Sequence, residues 1–263
     1  PVTKIIPWGA LISLSRRSRS REDMPSCSTT SLYSALTVLN QPDVNIITVE
    51  DPIEYQINGI SQVQVNAKID LTFANGLRTI VRQDPDIILV GEIRDIETAD
   101  MAIQAALTGR LVFSTLHTND AASAVTRLID MGVEPFLVSS SVNAIMAQRL
   151  IRKICPHCRE AYRPAPEYLE QLDLPPEFHD TDLYLGRGCE ECLHTGYHGR
   201  LGIYELMVLS EQIRSTILTT SDAGQIKREA IADPENPMLT LRLDGLQKVL
   251  NGVTTLEEVF RVT

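Results

Sequence analysis

Arg82 to Asp95 reads Arg-Gln-Asp-Pro-Asp-Ile-Ile-Leu-Val-Gly-Glu-Ile-Arg-Asp. Ile87 to Val90 is an apolar run long enough for a buried strand of a parallel sheet, and Pro85 stops whatever helix precedes it. The run closes on Gly91 and Glu92, with Arg94 and Asp95 just beyond. A carboxylate at the carboxyl edge of a buried strand, beside a glycine that keeps the backbone open, is placed to hold a ligand in an open α/β sheet. In a phosphate site it holds Mg²⁺ directly or through water. The same residues also describe a strand that simply ends in solvated charges. Glu50-Asp51-Pro52-Ile53-Glu54 repeats the pattern after the β-branched run Val44 to Val49. Grouped acids at a strand terminus suit a metal or a water-activating base. An acidic surface loop is the plainer reading, and a second such cluster weighs against it. His117 follows a third run, Leu111 to Leu116, and is either a structural imidazole or a phosphate sensor. Arg78 and Arg82 share a helix face, as a solvated stripe or as bidentate donors to phosphate oxygens.

Four of the five cysteines form two C-x-x-C pairs, Cys155/Cys158 and Cys189/Cys192, 30 residues apart. Two such knuckles supply four thiolates in a tetrahedron, which suits Zn²⁺. A redox role is weaker, because there are two pairs and no thioredoxin-like context. Cys27 stands alone and is given no role. A zinc ribbon on nucleic acid would need a basic stripe. Around the knuckles Arg152, Lys153, Arg159 and Arg163 are countered by Glu160, Glu167, Glu170, Glu190 and Glu191.

The elements that must position these groups alternate. A helix is predicted from Ser31 to Leu39, an edge strand from Gly59 to Val65 and a helix from Thr72 to Gln83 with Thr72 as N-cap. An alanine-rich helix follows from Ile96 to Leu107, and another from Ala121 to Met131. Alternating strands and helices predict a parallel α/β sheet with the ligand edge at the strands' carboxyl ends. Beyond the cysteines, helices are predicted at Ser210–Leu218, Gln225–Ile231, Thr240–Leu250 and Leu256–Arg261, with Thr254 and Glu257 as a capping box for the last.

The chain has 263 residues, a net charge of −10 and 43% hydrophobic residues. That composition describes a globular protein and argues against a general nucleic-acid surface. No apolar run is long enough to span a membrane, and the chain is expected to be cytoplasmic. Residues 1–26 carry a Ser/Arg run without periodicity and are expected to be disordered or aberrant. The expected division is this atypical start, a core over 27–150, a tetracysteine module over 151–200 and a helical region over 201–263.

These motifs together resemble the type II and type IV secretion ATPases, a family with a RecA-like P-loop NTPase core. The resemblance rests on Thr48-Val-Glu-Asp-Pro-Ile-Glu54, on Arg82 to Asp95 as the Walker B stretch, on Ser114-Thr-Leu-His-Thr-Asn119, and on the tetracysteine insertion. Within the family it is to type II secretion motors, with pilus-extension ATPases as the alternative. The resemblance implies a homo-hexameric ATPase using ATP and Mg²⁺, with a structural Zn²⁺ on Cys155, Cys158, Cys189 and Cys192. It implies inner-membrane secretion platform proteins as partners and a place at the inner membrane through them. It makes Glu54 the base that orients water, Glu92 the Mg²⁺ holder through water and His117 a γ-phosphate sensor. Glu50, Asp51, Arg78, Arg82 and Arg94 fall among the cofactor contacts.

The sequence departs from the family at the phosphate loop, G-x-x-x-x-G-K-[ST]. Here Met24-Pro-Ser-Cys-Ser-Thr-Thr-Ser31 stands in its place. Cys27 and Ser28 fall where glycine and lysine belong. Thr29 keeps the hydroxyl that would meet Mg²⁺, with Thr30 beside it. A cradle of backbone N–H groups needs glycines for close approach and the lysine for the β- and γ-phosphates. The expectation is severe loss of ATP affinity, from a start that reads as frame-disrupted or misjoined; a non-catalytic assembly subunit is the alternative.

Overall fold

The computed structural model describes residues 10–15, 27–165, 167, 169, 172, 174, 178 and 181–263, with residues 10–15 and 27–30 described by backbone alone. By contact density the chain divides into two units. The first takes the chain up to Gln148 together with Glu205–Met238, and the second takes Arg149–Tyr204 with Leu239–Thr263.

Runs that are apolar on both faces, or nearly so, leave neither sheet face able to meet water, so they pair in the interior of a parallel sheet. β2 (Ile46–Glu50) and β4 (Ile87–Val90) are buried at every residue, and β5 (Leu111–Leu116) at all but its first. With β1 (Ala10–Ser15), β3 (Ser61–Gln64), β6 (Val142–Ile154) and β9 (Tyr197–Val208) they form a seven-stranded sheet of order β3-β2-β4-β5-β1-β6-β9. β2 runs parallel to β3 and β4, β4 to β5, and β1 to β5 and β6. β3 is the edge strand that its polar sequence predicts. The register sets Val49 beside Val90 and Val90 beside Ser114. The residues that follow in each strand, the two acid clusters and the imidazole, therefore emerge at one edge.

The reading of residues 1–26 as disordered is corrected over Ala10–Ser15, which form β1 in the middle of the sheet. The physical reason is tertiary: β5 and β6 leave backbone hydrogen-bonding groups on facing edges, and a strand between them pairs both. The Ser/Arg run after Ser15 lies outside the described residues.

Helix α1 (Cys27–Leu39) seats Leu32, Tyr33 and Leu36 against Ile46, Ile87, Leu89 and Phe113 of the strands. α2 (Phe73–Ile80), α3 (Ile96–Leu107) and α4 (Ala121–Asp130) begin on Thr72, Asp95 and Asp120, whose side chains accept the N–H of Asn75, Thr98 and Ser123. Asp95 is thereby committed to a helix cap. α5 (Pro135–Ser141) begins on a proline. Neither it nor β6 is predicted from the sequence. α6 (Glu211–Thr219) and α7 (Ala223–Ala232) complete the first unit.

In the second unit β7 (Arg159–Tyr162) and β8 (Leu183–Gly186) pair antiparallel. α8 (Leu241–Leu250) and α9 (Leu256–Val262) supply Leu246, Val249, Leu256 and Val259 to a core shared with Leu169, Phe178 and Leu183. The capping box at Thr254 and Glu257 is corrected by one residue. Thr255 caps α9 by accepting the N–H of Glu258, while Thr254 donates to the Arg152 carbonyl at 2.8 Å.

Glu258 has no exposed side-chain surface and sits between Arg152 and Arg261. It accepts the Arg152 N–H at 2.9 Å and guanidinium hydrogen bonds of 2.7 Å from each arginine. Burial pushes its pKa up, but the hydrogen bonds from Arg261 and Arg152 outweigh burial and bring it down to about 2. Glu258→Ala removes a buried acceptor from the Arg152 N–H and from two half-exposed guanidinium groups, and urea unfolding should show a loss of ~1–2 kcal/mol. Because the folded pKa lies below the unfolded one, this stabilisation is complete above the ordinary carboxylate range and fades as the pH falls from about 5 towards 2. The stability of the wild-type chain should therefore drop more steeply over that range than that of Glu258→Ala.

Candidate functional site

A cleft in the first unit is lined by Glu50, Asp51, Pro52 and Glu54 after β2, by Gly91 and Glu92 after β4, and by Thr115 of β5, with Leu32, Phe73 and Leu89 as its apolar residues. The acid clusters thus share one space. Gly91 makes the approach feasible: a Cβ there would stand 3.3 Å from the Glu50 Cα and the Val49 carbonyl. Its N–H donates to that carbonyl at 2.8 Å, and Thr115 Oγ1 donates to the Gly91 carbonyl at 2.6 Å.

Glu92 is buried and both its oxygens are engaged. Arg94 donates to Oε1, and His117 Nε2 lies 2.8 Å from Oε2. Burial raises the Glu92 pKa, and the hydrogen bonds and charge of Arg94, then of His117, outweigh it, so the carboxyl titrates below its ordinary range. The same hydrogen bond raises the pKa of Arg94. His117 is therefore brought to the cleft through Glu92.

Glu50 is held differently. Tyr33 donates its hydroxyl to Oε2, while Thr48 Oγ1 at 2.6 Å and Gln62 Nε2 at 3.2 Å donate to Oε1. Glu54 and Asp51 are exposed on the turn that follows. Thr29 and Thr30 lie in the first turn of α1. Arg78 pairs with Glu97 at 2.7 Å on the surface, and Arg82 is exposed past the end of α2. Neither arginine lines the cleft.

Two residues beyond the sequence motifs steady the loop after His117. Glu205 of β9, 1% exposed, accepts the Ala121 N–H at 2.9 Å, and Lys227 of α7 reaches Asp120 at 3.1 Å and Glu205 at 3.7 Å. Burial raises the Asp120 pKa, and hydrogen bonds from Ser123 and then Lys227 carry the balance downward. A signal existed for Glu205: it falls on the inward phase of a strand between buried Ile203 and buried Met207. Nothing in the sequence marks Lys227.

In the second unit the sulfurs of Cys155, Cys158, Cys189 and Cys192 all lie within 4.8 Å of one another. Cys155 and Cys189 are 3.9 Å apart, as are Cys158 and Cys192, and Cys189 and Cys192 are 3.7 Å apart. Sulfurs at about 2.3 Å around a tetrahedral ion would stand about 3.8 Å apart. Backbone N–H groups point at the sulfurs, from Gly188 to Cys158 and from Gly196 to Cys192, each at 3.3 Å. Gly196, at φ +77°, passes so close to Gly186 that a Cβ would meet its carbonyl at 2.4 Å. This donor set fits a soft, four-coordinate cation.

The chain matches the family described as Type II/IV secretion system protein over residues 25–261, and it belongs to that family. It is 55% identical over 235 residues to the type II secretion system protein E of Pseudomonas aeruginosa, covering 89% of this chain and 46% of that protein. It is 52% identical over 232 residues to the type IV pilus assembly ATPase PilB of Thermus thermophilus, covering 88% of this chain and 26% of that one. The chain thus spans about half the length of the first of these relatives or less. Among solved structures it is similar to the pilus retraction motor PilT with bound ADP, at a TM-score of 0.68 and 26% identity, covering 98% of this chain and 62% of that one. The parallel α/β sheet and this likeness agree on a RecA-like core.

Gly91→Ala should test the convergence of the strand ends. The added methyl presses on the backbone of β2, and urea unfolding should show a loss of ~1–3 kcal/mol. An unchanged midpoint would mean that the two acid clusters are not packed this closely.

Proposed function

We propose that this chain is the motor-domain part of a type II secretion ATPase whose own ATP binding and hydrolysis are impaired. Within it we assign the chemistry to residues 27–150, a structural metal module to 151–200 and packing and partner surface to 201–263. The observation that supports the reading is the meeting of Glu54 and Glu92 in one cleft at the carboxyl edge of a parallel sheet, with His117 within hydrogen-bond distance of Glu92. In an intact motor of this kind Glu54 is placed to orient water, Glu92 to hold Mg²⁺ through water and His117 to report on the terminal phosphate.

ATP and Mg²⁺, the group that the family implies, fit one side of the site. The acid edge offers carboxylates for a hydrated cation. The phosphate side does not fit. β1 lies beside β5 and α1 is the next described element of the chain, the strand-then-helix order at which phosphates are cradled by backbone N–H groups in an intact phosphate loop. Between Ala10 and Ser31 there is neither a glycine nor a lysine. Among the described residues no arginine, lysine or histidine lines the cleft, and Arg94 and His117 approach it only through their contacts with Glu92. A triphosphate would meet Glu50, Asp51, Glu54 and Glu92 without the neutralising lysine. We derive no hydrolysis step in this chain.

The same reading makes the chain a subunit of a homo-hexamer, peripheral to the inner membrane through platform proteins, with no nucleic-acid partner. The similarity to PilB supports a pilus-assembly motor as the second assignment. The cysteine module is proposed to hold one Zn²⁺, which lends folding free energy to its surroundings.

Titration with a fluorescent ATP analogue tests the impairment: no saturation is expected in the micromolar range, and no phosphate release. Micromolar binding, or turnover, would refute it. The metal assignment predicts one zinc per chain by elemental analysis and its loss in Cys155→Ser and Cys192→Ser. Chelation should lower the thermal midpoint of the wild-type chain and leave that of the variants in place.

A further inference from the structure

The acids on the cleft fall into two kinds. Glu92 is held by Arg94 and His117, whose side chains are 60% and 54% exposed and can turn into water. Its oxygens can be released to a cation. Glu50 is 3% exposed, and its partners Tyr33 and Thr48 have no exposed surface at all. Releasing Glu50 to an outside ligand would strand two buried hydroxyls, and each loss of that kind costs roughly 1–3 kcal/mol.

The donors on Glu50 also grip the acidic turn. Gln62 Oε1 accepts the Ile57 N–H at 2.8 Å, while its Nε2, besides donating to Glu50, donates to the Tyr55 carbonyl at 3.2 Å. The Tyr33 ring meets the Tyr55 ring edge-on, with centroids 4.5 Å apart. α1, β2 and β3 are thereby fastened to one carboxylate, and the segment from Asp51 to Ile57 is strung between its partners.

We propose that Glu50 is an internal anchor rather than a ligand for Mg²⁺, and that Tyr33 and Gln62 are positioning residues which, through Glu50 and Tyr55, fix the turn that presents Glu54. The proposal deepens the motor reading and rests on it only for the importance of Glu54. The anchoring geometry stands on its own contacts. Burial, then the hydrogen bond and charge of Glu50, makes the Tyr33 phenol harder to ionise, which gives the anchor a signature of its own.

The test uses the whole chain without nucleotide, so its failure cannot be confused with failure of the ATP assays. Hydrogen exchange is followed at the amides of Asp51–Ile57 in Tyr33→Phe, Glu50→Ala, Glu50→Gln and Gln62→Leu, with the β7–β8 amides as reference. Tyr33→Phe should speed exchange in the turn by about five- to tenfold, the effect of one lost hydrogen bond, Gln62→Leu, which gives up three, by at least as much, and both should leave the reference unmoved. Glu50→Ala should do at least as much, and Glu50→Gln, which keeps an acceptor, should recover most of the protection. Ultraviolet titration should show one phenol ionising above the ordinary tyrosine range in the wild-type chain and moving down in Glu50→Gln. Unchanged turn exchange in Tyr33→Phe, or an unmoved phenol in Glu50→Gln, overturns the proposal. Should Tyr33→Phe fail to fold, unchanged exchange in Gln62→Leu, at a partly exposed site, overturns it equally.

Discussion

The parallel pairing of β2, β4 and β5, each closed to water on both faces, is the constraint from which the site follows. Such strands accept polar groups freely only at their ends. In-register pairing then gathers the ends of successive strands, and with them Glu50, Glu92 and the approach to His117, at one edge. Carboxylates brought this close repel, and the fold answers in two ways. At Glu92 the balance is struck by exposed cationic and imidazole partners; at Glu50 it is struck by neutral donors, two of them fully buried. The first arrangement leaves an acid free to exchange partners, and the second makes an acid part of the frame.

The same distinction explains how the frame around the phosphate position persists without a phosphate-loop sequence. α1 is seated by Leu32, Tyr33 and Leu36 on the strands and by the Tyr33 hydroxyl on Glu50. β1 is seated by backbone pairing to β5 and β6. Neither depends on glycines or a lysine in between. The residues that seat α1 and β1 therefore lie apart from the segment between them, which holds neither glycine nor lysine. In the second unit a compact core is reinforced by Glu258 between two arginines and by a sulfur cluster whose turns need close backbone approach.

Much of this was legible in the residues. Apolar and β-branched runs identify β2, β4 and β5, the Thr72 cap marks the start of α2, and an alanine-rich pattern marks α3. The acids at the strand ends follow from those runs. What could not be read depended on tertiary partners. Ala10–Ser15 is short and leads into arginines; only its neighbours make it a strand. Thr254 and Thr255 each precede a glutamate by three positions, so the capping pattern fits either, and the bond from Thr254 to the Arg152 carbonyl decides between them. Arg78 and Arg82 have the spacing of paired phosphate donors, yet Glu97, distant in sequence, takes Arg78. Glu50 and Glu54 look alike in the sequence, and burial alone separates them.

The most direct measurement of the convergence is nitrogen-15 NMR of the histidine rings in the wild-type chain and in Glu92→Gln. A carboxylate of β4 touching the imidazole after β5 should make the His117 ring nitrogens shift in the variant while those of His157, His194 and His198 stay in place. A His117 ring indifferent to Glu92→Gln would mean that the strand ends do not meet, and the cleft with its assigned acids would have no basis.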